Sequence, residues 1–259
     1  MRLIKVFVGV PSQETWKADF GMSLVHMVAT VSQPLRDGTK IQSCRLWNSR
    51  GSILPKLRTT LVKQALQSEA THILFIDSDM VFPAETLHKL LERGKSVIGC
   101  NCPVKTIPSS PTARLAGGDR GVPVYATPDD FGIEKVWRVG TGIMLVETRV
   151  FKQIPEPWFP IEWNEKTGDY TGEDWAFCEK LEAAGIPIFI DRQLSKMIGH
   201  IGSLTYEHKH VEIPDGYERN GNAESVKPVR YSHEFGVSPS GHQLDEINCA
   251  AKARAEGDS

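Results

Sequence analysis

Apolar residues in the first hundred positions follow strand and helix periods in turn. Residues 3–10 (LIKVFVGV) are rich in β-branched residues and predict a buried first strand. Residues 72–76 (HILFI) form a continuous apolar run, which is typical of a strand buried on both faces of a sheet. The predicted elements of this region are strands at 3–10, 72–76 and 96–100 and helices at 16–30, 54–66 and 83–93.

The alternation of strands with helices predicts an α/β fold. We expect a Rossmann-like, doubly wound and mostly parallel central sheet with helices on both faces. Residues 101–133 are rich in Pro and Gly, and we expect loops and short strands there, which are candidates to cover a substrate. The remaining predicted elements are a strand at 136–146 with an interruption at 140–142, a helix at 173–184, a strand at 187–190 and a polar tail at 211–259.

Composition and charge describe an ordinary globular protein. The chain has 259 residues, of which 40% are hydrophobic and 24% charged, and 30 basic against 32 acidic residues give a net charge of -2. No strong overall field therefore attracts nucleic acid or anionic lipid. No apolar run approaches the roughly 18 residues that cross a bilayer, and the first residues are unlike a secretory leader, so we expect a cytoplasmic protein. The five cysteines are expected to be reduced thiols.

Two carboxylates follow the apolar strand at 72–76 directly. In open α/β sheets, ligands bind beyond the carboxyl ends of the strands, where Asp77 and Asp79 are expected to lie. Carboxylates this close repel each other unless a cation or hydrogen-bond donors neutralise them. A Mg²⁺ or Mn²⁺ ion that carries a diphosphate would do so. The alternative is that both residues form Asx-turns in a loop without chemistry.

A second acidic pair, Glu173 and Asp174, opens the helix predicted at 173–184. One interpretation is structural, with Thr171 and Asp174 as a capping box at the positive end of the helix. The other makes one of these carboxylates a general base. The helix end lowers the pKa of a carboxylate, so a base at this position requires partial burial to offset that effect.

Histidines supply the third candidate feature. His200 lies between small residues, in Gly199-His200-Ile201-Gly202, and imidazole suits Mn²⁺, although a lone histidine is also common in an ordinary loop. His208 and His210 have the spacing of a zinc pair but no cysteine partner nearby, and we expect them to be surface residues.

Taken together, these motifs resemble the GT-A fold nucleotide-sugar glycosyltransferases, closest to the small soluble bacterial and viral type. The resemblance covers residues 1–205 and rests on three motifs in order. They are HILFIDSD, which contains the DxD motif, GEDW, which opens the acceptor-side helix, and GHIG, which carries the late histidine.

The resemblance implies a role for each residue of the donor site. Asp77 would meet the ribose or nucleotide, while Asp79 and His200, with Asp77 as a further candidate, would bind Mn²⁺ or Mg²⁺. The metal would neutralise the diphosphate of a UDP- or GDP-sugar. The weaker correspondences are Gly140, Thr141 and Gly142 beside the donor sugar, Arg58 near the nucleotide, and Pro11 against the base.

On the acceptor side, the resemblance implies that Asp174 deprotonates the acceptor hydroxyl, with Glu173 as the alternative base. The implied reaction is metal-dependent transfer of a sugar with inversion, although retaining members share the same motifs. The implied organisation is one catalytic domain at 1–210, with a nucleotide-sugar-binding half at 1–105 and an acceptor-side half at 106–210, followed by the tail.

Two other functions agree with the same motifs, a nucleotidyltransferase and a sugar-nucleotide-binding module without catalysis. The acceptor is open among a glycan, a small molecule, a protein and a modified nucleic-acid base. A nucleic-acid acceptor requires a positive groove. The residues that would have to converge to form it are Lys105, Arg114, Arg120, Lys135 and Arg138.

Overall fold

The computed structural model describes residues 3–202, 205–208, 211, 213 and 217. Its strands are β1 (Ile4–Ser12), β2 (Ile41–Arg50), β3 (His72–Ile76), β4 (Met80–Val81), β5 (Val97–Gly99), β6 (Arg114–Leu115), β7 (Val122–Pro123), β8 (Ile133–Val136), β9 (Ile143–Glu147), β10 (Glu162–Asn164), β11 (Asp169–Thr171), β12 (Ile188–Asp191), β13 (Gly199–Ile201) and β14 (Thr205–Tyr206). Its helices are α1 (Ala18–Thr30), α2 (Leu54–Gln67), α3 (Thr86–Glu92), α4 (Glu173–Ala183) and α5 (Arg192–Ser195), with a 3-10 helix at Thr148–Lys152.

A seven-stranded sheet forms the centre of the described part of the chain, in the order β2-β1-β3-β9-β5-β12-β8. Strands β1, β2 and β3 are parallel neighbours, and β5 and β12 form a second parallel pair. Strand β9 lies between the two groups and is antiparallel to both β3 and β5, while β8 is antiparallel to β12 at one edge. Five of the seven strands therefore run in one direction, and the predicted mostly parallel α/β fold of the GT-A class is confirmed.

Helices cover both faces of this sheet, and each face has its own apolar core. Leu61 of α2 and Phe177 of α4 are fully buried in one core, with the aromatic residues around the 3-10 helix. Phe20 of α1 and Leu90 of α3 are fully buried in the other. Strands β3 and β9, which are buried along almost their whole length, supply side chains to both cores. The sheet is thus a rigid support for the loops at its edges.

Three sequence-based predictions require correction. Strand β2 was not predicted, because it is an edge strand with mostly exposed side chains and no apolar run. The strand predicted at 136–146 with an interruption at 140–142 is two separate strands, because the chain turns between β8 and β9 and these occupy different positions in the sheet. The helix predicted at 83–93 begins only at Thr86, whose N–H and hydroxyl both donate to the carbonyl of Pro83.

The chain divides into two units, and the second, residues 214–216 and 225–259, lies outside the described residues, as does nearly all of the predicted tail. Within the described part of the chain, no helix is both long and apolar enough to cross a membrane. Cys44, Cys100, Cys102 and Cys178 are free thiols, and Cys249 is not among the described residues.

Candidate functional site

A cleft of about 1240 Å³ opens at the carboxyl ends of the parallel strands. Its wall is built by the end of β1, the turn between β2 and α2, and the segment that follows β3. This is the edge at which α/β sheets bind ligands. The lining residues are Pro11, Ser12, Gln13, Glu14, Thr15, Lys17, Arg50, Gly51, Ser52, Leu54, Leu57, Asp77, Ser78, Asp79, Lys105 and His200.

A small three-stranded sheet brings Asp79 and His200 together, although 121 positions separate them in the sequence. Strand β4 follows Asp79 directly and pairs antiparallel with β13, so that His200 lies opposite Met80. The amide of Ile201 also donates to the carbonyl of Asp79 at 2.7 Å. As a result, Nε2 of His200 lies 3.4 Å from Oδ1 of Asp79.

The other oxygen of Asp79, Oδ2, accepts a hydrogen bond from Nζ of Lys105. Partial burial acts to raise the pKa of Asp79, but the hydrogen bonds from His200 and Lys105 outweigh it and hold the pKa at about 2. Asp79 is therefore an anion at every physiological pH. One of its carboxylate oxygens faces the imidazole of His200, and the other contacts the ammonium group of Lys105.

His200 is oriented by a second contact. Its Nδ1 lies 2.9 Å from the carbonyl oxygen of Pro103. A carbonyl can only accept, so Nδ1 carries the hydrogen and Nε2 presents its lone pair or second proton toward Asp79. Metal-binding histidines are commonly held in this way by a carbonyl on the far ring nitrogen.

The donor set of Asp79 and His200 fits a divalent ion only as part of a larger shell. Among the described residues, no three His, Cys, Asp or Glu side chains lie close enough together to hold a metal ion. The 3.4 Å between the two donor atoms nevertheless agrees with adjacent ligands on one ion, each at about 2.1 Å. Mg²⁺ and Mn²⁺ complete such a shell with phosphate oxygens and water. The residues therefore fit an ion that arrives with a diphosphate.

Arg58 lies behind the other carboxylate of the DxD motif. It is on α2, 2% exposed, and its Nη2 is 3.2 and 3.3 Å from the two carboxylate oxygens of Asp77. Its Nε is 3.6 Å from Oε1 of Glu173. Arg58 thus joins the two acidic pairs of the sequence and is not among the residues that line the cleft, although a position near the nucleotide was expected.

The acidic pair at the start of α4 has a different environment. Burial raises the pKa of Asp174 to about 6, and the charge of Glu173 adds to this effect, while Arg58 opposes it. The predicted capping box is not formed, because Gly172 is the N-cap of α4 without a side-chain hydrogen bond. The burial required of a base at this position is therefore present.

The segment Gly140-Thr141-Gly142 reaches the same edge because β9 is antiparallel to β3. The carbonyl of Gly142 accepts the amide N–H of Asp77 at 2.9 Å. A Cβ at Gly140 would be 3.5 Å from Oδ2 of Asp174, and one at Gly142 would be 3.6 Å from Oδ2 of Asp77. The two glycines therefore let the main chain pass close to both acidic pairs, but neither glycine is among the residues that line the cleft. Thr141 is 1% exposed, and its hydroxyl has no hydrogen-bond partner within the part of the chain that the structure describes.

Several residues of the cleft were not found from the sequence. Lys17 and Arg50 add positive charge to its wall, and Ser12 and Gln13 extend the contribution of β1 beyond Pro11. Arg50 is the last residue of β2, and because this strand was not predicted, the position of Arg50 at the cleft was not predicted either. The other residues stand in loops, where composition gives no signal.

One other expectation fails. His208 is not a surface residue, because it is partly buried with Nε2 2.6 Å from the carbonyl of Asn101, and burial lowers its pKa. His210 lies outside the described residues. Of the basic residues that a nucleic-acid groove would require, Lys105 contacts Asp79 and the buried Arg138 pairs with Glu179.

Comparison with protein-family models and with curated proteins finds no match. Among solved structures, the chain is similar to A197 from STIV, with 12% identity, a TM-score of 0.50, and coverage of 89% of this chain and 100% of that one. It also matches S. aureus TarS in complex with UDP-GlcNAc, with 17% identity, a TM-score of 0.36, and coverage of 73% of this chain and 55% of that one. A second TarS structure gives 17% identity, a TM-score of 0.37, and coverage of 73% and 35%. The likeness to A197 concerns the fold alone.

Proposed function

We propose that this protein is a glycosyltransferase that moves a sugar from a nucleotide diphosphate to an acceptor hydroxyl, with Mn²⁺ or Mg²⁺ as cofactor. The observation that carries the proposal is the convergence of Asp79 and His200, 3.4 Å apart, at the wall of a large cleft beyond the carboxyl ends of the strands. Fold and cleft alone would suit many ligands. The pairing of Asp79 with His200 is the feature that favours a divalent ion bound to a diphosphate.

The cleft offers the complementary charge for such a donor. Lys17, Arg50 and Lys105 line it together with the carboxylates, so the phosphates can be bound by cations while the metal is bound by Asp79 and His200. A cleft of about 1240 Å³ has space for a nucleotide-sugar, which is larger than most drug-sized ligands. The nucleoside is assigned to the side of Pro11 and Ser12. UDP- and GDP-sugars are the first donors to test.

When bound, the metal supplies Lewis-acid stabilisation of the negative charge on the leaving diphosphate. Asp79 and His200 would hold the ion at the cleft wall. Asp77 is oriented by Arg58, whose Nη2 contacts both carboxylate oxygens, and it is assigned to accept a hydrogen bond from a ribose hydroxyl. Gly140, Thr141 and Gly142, whose main chain passes close to both acidic pairs, are assigned to the side of the donor sugar.

Asp174 is proposed as the general base that accepts the proton of the acceptor hydroxyl. A base with a pKa of about 6 is ionised at pH 7 to 8 and is a stronger proton acceptor than an unperturbed carboxylate. Glu173 is the alternative base. A base on the face opposite the leaving diphosphate gives a direct displacement, and hence inversion at the anomeric carbon.

The decisive experiment incubates the protein and Mn²⁺ with a panel of UDP-, GDP- and CMP-sugars and identifies the nucleotide released. A nucleoside diphosphate from a UDP- or GDP-sugar supports glycosyl transfer, whereas pyrophosphate released from a nucleoside triphosphate and sugar phosphate would indicate a nucleotidyltransferase. Thermal-shift measurements on the same panel identify binding, since a ligand at a hundred times its Kd adds about 2.7 kcal/mol of apparent stability. Stabilisation without any turnover would favour a binding module.

A further inference from the structure

Lys105 occupies a special position among the cations of the cleft. Its ammonium group contacts Oδ2 of Asp79, whose other oxygen faces His200. The same loop is fixed to His200, because the carbonyl of Pro103, two residues earlier, accepts the N–H of Nδ1. The loop therefore contacts both proposed metal ligands, one through its backbone and the other through a side chain.

This contact conflicts with a metal ion at the same carboxylate. An ion ligated by Asp79 and His200 would lie a few Å from Nζ of Lys105, and like charges at that distance repel. Asp79 can therefore neutralise Lys105 or ligate the ion, and the two states compete. A diphosphate removes the conflict because its anionic oxygens can bind the ion and the ammonium group at the same time.

We propose that Lys105 is the internal competitor of the divalent ion, and that it moves from Asp79 to the diphosphate when the donor binds. In the protein without donor it neutralises Asp79, and in the donor complex it binds the phosphate oxygens while Asp79 ligates the ion. The inference rests on the proposed function for the identity of both ligands. Its consequence is positive coupling: the metal and the nucleoside diphosphate each strengthen the binding of the other.

The lysine at position 17 provides the matched control. Lys17 lines the same cleft but has no ion pair with Asp79 among the contacts of the described residues. A substitution that only lowers the positive potential of the cleft would act equally at both positions. A substitution that frees Asp79 would act at Lys105 alone.

The first measurement is the Kd of Mn²⁺ in the absence of nucleotide, which is determined from the electron paramagnetic resonance signal of free Mn²⁺. We expect Lys105→Met to bind Mn²⁺ about five- to tenfold more tightly than the unaltered protein, and Lys17→Met to change the Kd less than twofold. The effect of Lys105→Met should disappear in an Asp79→Asn background, because the competed carboxylate is then absent.

The second measurement is the binding of UDP and of GDP, by calorimetry, with and without saturating Mn²⁺. With Mn²⁺ present we expect Lys105→Met to weaken the better-bound nucleotide about fivefold. The coupling is the ratio of the nucleotide's Kd without Mn²⁺ to its Kd with Mn²⁺, and we expect this ratio to be smaller in Lys105→Met than in the unaltered protein. The inference would be overturned if Lys105→Met and the unaltered protein bound Mn²⁺ with equal affinity, or if Lys17→Met raised the Mn²⁺ affinity as much as Lys105→Met does. It would also be overturned if none of the three proteins bound Mn²⁺ detectably.

Failure of the proposed function has a different signature. If Lys105→Met tightens Mn²⁺ binding but no sugar nucleotide is turned over, the competition stands and glycosyl transfer is wrong. If sugar is transferred at full rate in EDTA and Mn²⁺ does not bind, the competition is wrong and transfer stands without a metal.

Discussion

The two acidic pairs joined by Arg58, Asp77/Asp79 and Glu173/Asp174, contain similar residues in opposite electrostatic environments, and only the first pair lines the cleft. Each carboxylate of the first pair has its own cationic partner, Arg58 for Asp77 and Lys105 for Asp79. Among the described residues, the cation nearest the second pair is Arg58, whose Nε lies 3.6 Å from Oε1 of Glu173. Accordingly, the pKa of Asp79 is held at about 2, whereas burial and Glu173 raise the pKa of Asp174 to about 6.

The difference shows that the neighbouring side chains, more than the residue type, determine the pKa of each carboxylate and the chemistry to which it is suited. A carboxylate that stays ionised is suited to bind cations, and one whose pKa lies near neutrality is suited to exchange protons. Enzymes commonly assign acid, base and electrostatic roles to carboxylates in this way. This contrast can be tested by substituting a carboxylate of either pair, or by substituting Arg58, which contacts both pairs.

The largest effect is expected for Asp79→Asn. Loss of the anionic ligand should lower the rate of sugar-nucleotide turnover about a thousandfold, because several kcal/mol of Lewis-acid stabilisation are lost. Assay of nucleoside diphosphate release in saturating Mn²⁺ measures the change, with Asp129→Asn, at an exposed position, as control. A rate within threefold of the unaltered protein would remove Asp79 from the metal site.

Arg58→Met should have the next largest effect, on stability. It leaves the carboxylates of Asp77 and Glu173 without their shared buried partner, which should reduce the free energy of unfolding by about 3 kcal/mol. Urea denaturation at pH 7 measures this loss. Lys63→Met, on the exposed side of the same helix, should cost less than 1 kcal/mol. A similar loss in both variants would contradict the bridging role.

Asp174→Asn should lower the rate at pH 8 about a hundredfold, because the amide cannot accept the acceptor proton. In the unaltered protein the rate should rise with pH through about 6, as Asp174 loses its proton, and this limb should be absent from the variant. The pH dependence of kcat/KM is the measurement. A larger loss in Glu173→Gln would assign the base to Glu173 instead.

The smallest effect concerns the stability of the same variant. The pKa of Asp174 is raised to about 6 in the folded protein, against about 3.9 in an unfolded chain, so its ionisation opposes folding as the pH rises between those values. Asp174→Asn should therefore be more stable than the unaltered protein by about 2 kcal/mol at pH 8, and the gain should vanish near pH 3.5. Denaturation at the two pH values tests the sign. A gain that is independent of pH would have another cause.

The sequence was sufficient to locate the features that depend on local pattern. The apolar run that ends at Asp77 and the start of α4 at Glu173 are where the periodicity placed them. Arg58 also had an unused signal, because it lies on the apolar stripe of its helix with Leu57 and Leu61, and a charge at such a position predicts a buried ion pair.

The features that depend on distant contacts were not predictable. The ion pair between Lys105 and Asp79 arises from a loop whose path composition does not determine. Strand β2 has too few buried residues for an apolar signal. The antiparallel direction of β9 is decided by its partners in the sheet, and nothing in its five residues distinguishes it from a parallel strand.

The central position of β9 has a consequence for synthesis of the chain. Strands β3 and β5 have no hydrogen bonds with each other in the sheet, since β9 separates them and is contributed from 44 positions after the last residue of β5. A nascent chain that has emerged only to residue 105 therefore holds the group β2-β1-β3 and the single strand β5, both with open edges. Expression of the first half alone should yield an aggregating fragment rather than a nucleotide-binding module, and productive folding has to wait until residue 147 has left the ribosome.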